Sequence, residues 1–173
     1  MKKTCAVALV FLLWGFSLFA QVEKGDSEIG FMGYYSTMIG TANSSGGTGS
    51  IQFSYGYFLT PRLQIGIGPQ VTFSQGFDGS GGEANFSASA FFNFNLTTRS
   101  KTVPYLFGQW YQTDFSPDTG NFTDAAFLNV GFGVRNFFTE YAAINSAISY
   151  GFAFASESDD GLLLIMSGLS FFF

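Results

Sequence analysis

The stretch GLLLIMSGLSFFF, residues 161 to 173, decides the fold. Side chains of an extended strand alternate between two faces, so Leu163, Ile165, Leu169, Phe171 and Phe173 share one face and only Ser167 breaks the row. Chain ends in water are ordinarily frayed and polar, so a terminal run that finishes on three Phe requires burial. A strand closing a barrel inside a lipid bilayer meets that requirement, because both its edges are paired and its aromatic end sits at the membrane interface.

The same period of two runs back to Ser27 and divides the chain into eight segments with no linker between them. The first, Ser27 to Thr37, sets Ile29, Phe31, Gly33 and Tyr35 against Glu28, Gly30, Met32 and Tyr34. The Gly/Ser-rich stretch Thr41 to Ser50 reads as a loop. The second segment is the clearest, with Ile51, Phe53, Tyr55, Tyr57 and Leu59 alternating with small or amide residues up to the turn Thr60-Pro61-Arg62. In the third, Leu63, Ile65, Ile67, Val71 and Phe73 point outward with Pro69 among them, and a mid-strand Pro predicts a bulge or kink there. The fourth, sixth and seventh repeat the pattern; in the sixth Val130, Phe132 and Val134 oppose Asn129, Gly131, Gly133 and Arg135. The fifth, Val103 to Thr113, has two admissible phases: one turns Tyr105, Phe107, Gln109 and Tyr111 outward, the other Leu106, Gly108 and Trp110.

Composition agrees with strands that cross a membrane. Phe (24) and Gly (22) are abundant and charged residues make up 11%, against about 25% in a typical soluble domain. Mean hydropathy is nevertheless only +0.24, and beyond residue 20 no apolar run reaches the ~18 residues of a membrane helix. Residues 1–20 differ: Lys2 and Lys3, an apolar core from Cys5 to Phe19 and the small Ala20 predict a secretory signal peptide, leaving 21–173 as one barrel domain. Without them the chain has no Cys, hence no disulfide, and carries 7 − 2 = 5 basic against 12 acidic residues, a charge of −7. Nucleic acid is excluded as a partner on that balance.

These features together predict an all-β, eight-stranded antiparallel up-and-down transmembrane β-barrel. Short connections (60–62, 97–102, 136–140) alternate with longer ones (41–50, 76–83, 114–124, 155–160), as in barrels whose two ends face different compartments. The whole of 27–173 resembles the small eight-stranded outer-membrane barrels of the OmpA transmembrane domain and OmpX type. The similarity lies in stretches such as Gly56-Tyr57-Phe58-Leu59-Thr60 and Pro104-Tyr105-Leu106. The spacing Gly168, Phe171, Phe173 resembles the C-terminal recognition signal of that family. The resemblance implies export to the outer membrane of a Gram-negative envelope, outer-membrane lipid and lipopolysaccharide as surroundings, the outer-membrane insertion machinery as a partner through the terminal Phe, and a monomer. The alternative fold is a lipocalin-like soluble barrel with its apolar face turned inward around a ligand.

Catalytic chemistry is sparse. The chain has no His, which removes Ser-His hydrolysis, a His general base and His-ligated metals. No cofactor and no enzymatic activity are expected. The acidic residues Asp78, Glu83, Asp114, Asp118, Asp124, Glu157, Asp159 and Asp160 lie in or beside the longer connections, whereas Arg62, Arg99, Lys101 and Arg135 lie at or near the short turns. Such a rim either bridges divalent cations to lipopolysaccharide or keeps loops soluble. Two lumen features are predicted: an ion pair between the inward Glu28 and Arg135, and an apolar cluster of Met32, Tyr34, Leu162, Leu164 and Met166 where the last strand meets the first. That cluster is either an externally open pocket for apolar ligands or side chains that fill the lumen. The expected role is structural or surface-interacting, and the alternative is a narrow channel or transporter.

Overall fold

The computed structural model describes residues 22–39, 47–74, 83–112, 126–153 and 161–173. The expected leader therefore lies outside the described residues, as do Asp78, Asp114, Asp118, Asp124, Glu157, Asp159 and Asp160. Eight strands follow one another: β1 (Ser27–Ile39), β2 (Gly47–Phe58), β3 (Leu63–Ser74), β4 (Glu83–Asn95), β5 (Thr102–Gln112), β6 (Ala126–Phe137), β7 (Ala142–Ala153) and β8 (Gly161–Phe172). Each pairs antiparallel with the next, and β8 pairs with β1 to close the barrel. Cross-strand partners followed from Asn95 run through Tyr105, Gly133, Ala147, Met166, Tyr34, Ser50 and Thr72 and return to β4 at Asn85. The closure thus carries a stagger of 95 − 85 = 10 residues. A staggered eight-stranded barrel has tilted strands and an interior only wide enough for side chains.

Sidedness is inverted relative to a water-soluble barrel. Phe31, Phe53, Ile67, Phe86, Phe92, Ile148 and Phe171 stand on the outer surface, Ile67 at 61% and Phe86 at 63% exposure, while Gln52, Gln64, Asn95 and Asn145 are buried. The lipocalin-like alternative, with its apolar face inward, is overturned by this arrangement. Branched and aromatic residues suit the pleated outer surface, and each strand pairs with a neighbour on both sides, which supplies backbone partners in an apolar surrounding.

Strand β5 takes the second of its two phases. Leu106 is 48% exposed, whereas Val103, Tyr105, Phe107 and Gln109 face the lumen. Gly108 is on the outer row and is covered by the ring of Phe92 on β4, with which it pairs. Two strands reach further than the sequence indicates: β2 begins at Gly47, within the stretch read as loop, and β4 at Glu83. Ladder pairing such as Thr37 with Gly47 needs only backbone groups, so side-chain composition does not mark these ends. At Pro69 the β2–β3 pairing lapses opposite Phe53 and Ser54, yet Gln52 faces Gln70 and Tyr55 faces Ile67, so no residue is inserted and the register continues. The missing N–H of Pro removes a ladder bond without displacing the strand.

At the short-turn end, Thr60 closes the β2–β3 turn by accepting from the Leu63 N–H at 2.9 Å. The chain before β1 folds back beneath the barrel at Gly25, whose φ of 100° requires glycine. Gly25 donates its N–H to Phe58 O, and Ser27 exchanges two backbone bonds with Phe173. This strap presses Val22 against Phe58, Val103, Phe137, Ala143 and Phe172, which together plug the lumen's base. Phe172 stacks 4.9 Å from Phe137 and 6.3 Å from Phe58.

Candidate functional site

The lumen is the part of the molecule where polar chemistry concentrates. Glu28 comes from the first turn of pairing in β1, and Arg135 from the last part of β6, strands that are not neighbours in the barrel. Facing inward across the narrow interior, they meet: Arg135 Nη2 lies 3.0 Å from Glu28 Oε2, with both side chains nearly sealed from solvent. A charge taken out of water is costly unless its hydrogen-bonding capacity is met, and here most of it is. Glu28 Oε2 also accepts from Gln64 Nε2 at 2.7 Å, and Oε1 accepts from Asn145 Nδ2 at 3.3 Å and from the Ser170 hydroxyl. Asn145 Nδ2 donates to Ser170 Oγ as well. Arg135 donates from Nη1 to Asn95 Oδ1 at 2.6 Å and from Nη2 to Gln64 Oε1 at 2.7 Å. Gln64 is thus oriented by both charges, its amide nitrogen toward the carboxylate and its oxygen toward the guanidinium. Arg135 also lies over the Tyr105 ring, 4.4 Å from its centroid, and 5.7 Å from that of Phe58. Within this network, Nε of Arg135 and Oδ1 of Asn145 lack a partner among the described residues.

Above the charges, Tyr34, Tyr105, Phe107, Leu164 and Met166 form a second apolar layer, with Met32 and Ala147 packed on it. Four of the five residues expected at the β1–β8 seam, Met32, Tyr34, Leu164 and Met166, therefore touch one cluster. Leu162 is placed by its backbone opposite Met38 and Gly151, and its side chain is outside the described residues. Tyr105 and Phe107 join from β5, which the sequence could not phase. Between the layers a cavity of about 30 Å³ remains, bordered by Glu28, Tyr34, Gln52, Gln109 and Arg135. That volume holds one or two water molecules. A further polar layer follows: Gln109 Nε2 and Gln52 Nε2 converge on Ser89 Oγ at 2.8 and 2.9 Å, and Ser89 donates to Gly68 O. Tyr111 takes a bond from Ser87 at 3.0 Å.

Sequence reasoning missed Gln64, Asn95, Asn145 and Ser170 as members of the charged site. Their only signal was an inward position on a strand, shared with every other amide and hydroxyl of the polar rows. Of the acidic rim, Glu83 opens β4, with its side chain outside the described residues.

No protein-family model matches the chain, and no curated protein matches it significantly. Solved structures do share its architecture. Neisserial surface protein A superposes with a TM-score of 0.64 at 14% identity, over 86% of this chain and 99% of that one. The N-terminal β-barrel domain of Pseudomonas aeruginosa OprF gives 0.57 at 14%, over 87% and 98%. Ail, the attachment invasion locus protein of Yersinia pestis, gives 0.52 at 15%, over 87% and 99%. Identity this low speaks for the backbone alone, and the chain has the closed eight-stranded fold of small outer-membrane barrels.

Proposed function

We propose that the chain is an integral outer-membrane protein, exported after removal of residues 1–20, with a non-enzymatic structural or surface-interaction role. The observation that carries this reading is the filled lumen: an apolar plug, the hydrogen-bonded Glu28–Arg135 network and a second apolar layer occupy it, with a cavity of about 30 Å³ between the layers. An object so occupied works as a rigid stave for what its connections present, and a solute path has no room in it. The outer belt of Phe, Ile and Leu fits acyl chains, and a monomer satisfies every strand edge by its own closure. The aromatic end of β8 fits recognition by the outer-membrane insertion machinery, and the four long connections fit a surface that meets lipopolysaccharide or a partner.

Reconstitution into planar bilayers tests the role. The expected result is an electrically silent membrane at protein amounts that give folded, heat-modifiable bands on gels. Reproducible unitary conductance steps would replace this reading with the narrow-channel alternative. Membrane fractionation and protease shaving of intact cells test the location, and recovery in the soluble fraction overturns it.

A further inference from the structure

The strap before β1 sends one side chain into the interior. Val22 is 3% exposed in the base plug, whereas Glu23, Lys24 and Gly25 after it face solvent. From Gly25 onward the strap is fixed to β2: Gly25 donates its N–H to Phe58 O, and Asp26 O accepts from the Phe58 N–H, each at 2.9 Å. Residues 22–24 hang from that anchor. A latch at the surface draws them back, because Asp26 Oδ2 accepts from the Glu23 N–H at 2.7 Å. Gly25, the one described residue with a positive φ, stands at the junction, and glycine crosses between φ signs without a Cβ clash. Alongside lies a cavity of about 320 Å³, bordered by the strap on one side and by Phe137, Tyr141, Phe172 and Phe173 on the other. Val22 borders this space too, so its side chain has room to leave the plug while the strands stay in place.

We propose that residues 22–24 are a hinged bung: the segment pivots at Gly25, Val22 swings from the plug into the adjoining cavity, and water reaches the floor of the Glu28–Arg135 network from the short-turn end. Phe58 couples strap and charge, since its backbone anchors Gly25 and Asp26 and its ring lies 5.7 Å from the Arg135 guanidinium. Opening gives up the burial of one Val and one bond to a carboxylate, so the open form is a minor population reached by local opening of the strap alone.

Accessibility of a thiol in the plug tests this. In a Cys5→Ser background folded into lipid vesicles, Val103→Cys puts a probe in the base cluster, and its modification by a small water-soluble methanethiosulfonate is read by mass. The rate is expected to be independent of urea below the global transition, because pivoting of the strap exposes little surface. Val22→Gly is expected to raise it about tenfold and Asp26→Ala about fivefold. A probe at Ser149→Cys, paired with Leu164 of the second apolar layer, is expected to react at one rate whichever strap is present. Ala143→Cys, in the same base cluster, serves as the plug probe if the Val103 variant lacks heat-modifiable migration. A rate that climbs with urea in step with unfolding, strap variants that react no faster, or equal acceleration at position 149 overturns the proposal.

Discussion

Arg135 and Glu28 show how much of the barrel's free energy is decided by single side chains. Arg135 is 1% exposed, and removing it leaves a carboxylate in the lumen with its amide and hydroxyl donors but no cation. Breaking a buried pair on one side costs about 3–5 kcal/mol, whereas replacing both partners by neutral groups of similar size is close to neutral. Arg135→Met is therefore expected to destabilise by about that amount, and Glu28→Gln/Arg135→Met to recover most of the loss. Urea titrations of protein folded into lipid vesicles measure both, and equal stability of the single and double variants contradicts the account.

At the scale of elements, the β1–β8 seam and the base plug fix how the cylinder closes. Gly168 sits on the seam opposite Met32, and an added Cβ there meets the Phe31 carbonyl oxygen at 2.1 Å. Backbone cannot move aside as a flexible side chain does, so Gly168→Ala is expected to cost about 1–3 kcal/mol, the range of overpacking. Gly49 on β2 has nothing within 4 Å of the same atom, and Gly49→Ala serves as its control, within about 0.5 kcal/mol of the parent. In the plug, Phe172→Ala removes the ring that joins Phe58 to Phe137, with an expected loss of about 3–5 kcal/mol. Denaturant midpoints in vesicles rank the three variants, and a Gly168 variant as stable as the Gly49 variant refutes the seam geometry.

For the molecule as a whole, the governing quantity is sidedness. Ile148 stands on the outer belt at 48% exposure, flanked across β7 by Phe132 and Ile165. A charge at mid-belt costs about 2–4 kcal/mol when it faces hydrocarbon, so Ile148→Arg is expected to lower folding stability in vesicles by that amount. An outer surface facing water would accept the same change within about 0.5 kcal/mol.

Alternation along Ile51 to Leu59, the spacing of turns and the closing run to Phe173 determine the strand count, the direction of the greasy rows and the up-and-down order, because a period of two is a local property of the chain. Glu28 and Arg135 are legible as inward residues for the same reason. Tertiary structure alone decides the phase of β5, where both faces carry aromatics and each carries a Gln, since the choice depends on which neighbours fill the lumen. It alone brings Gln64, Asn95, Asn145 and Ser170 around the ion pair, and Glu23, Asp26 and Glu140 to one cavity. Those meetings follow from a closure stagger of ten residues, set by strand tilt and pairing between segments far apart in the chain, and no local pattern encodes it.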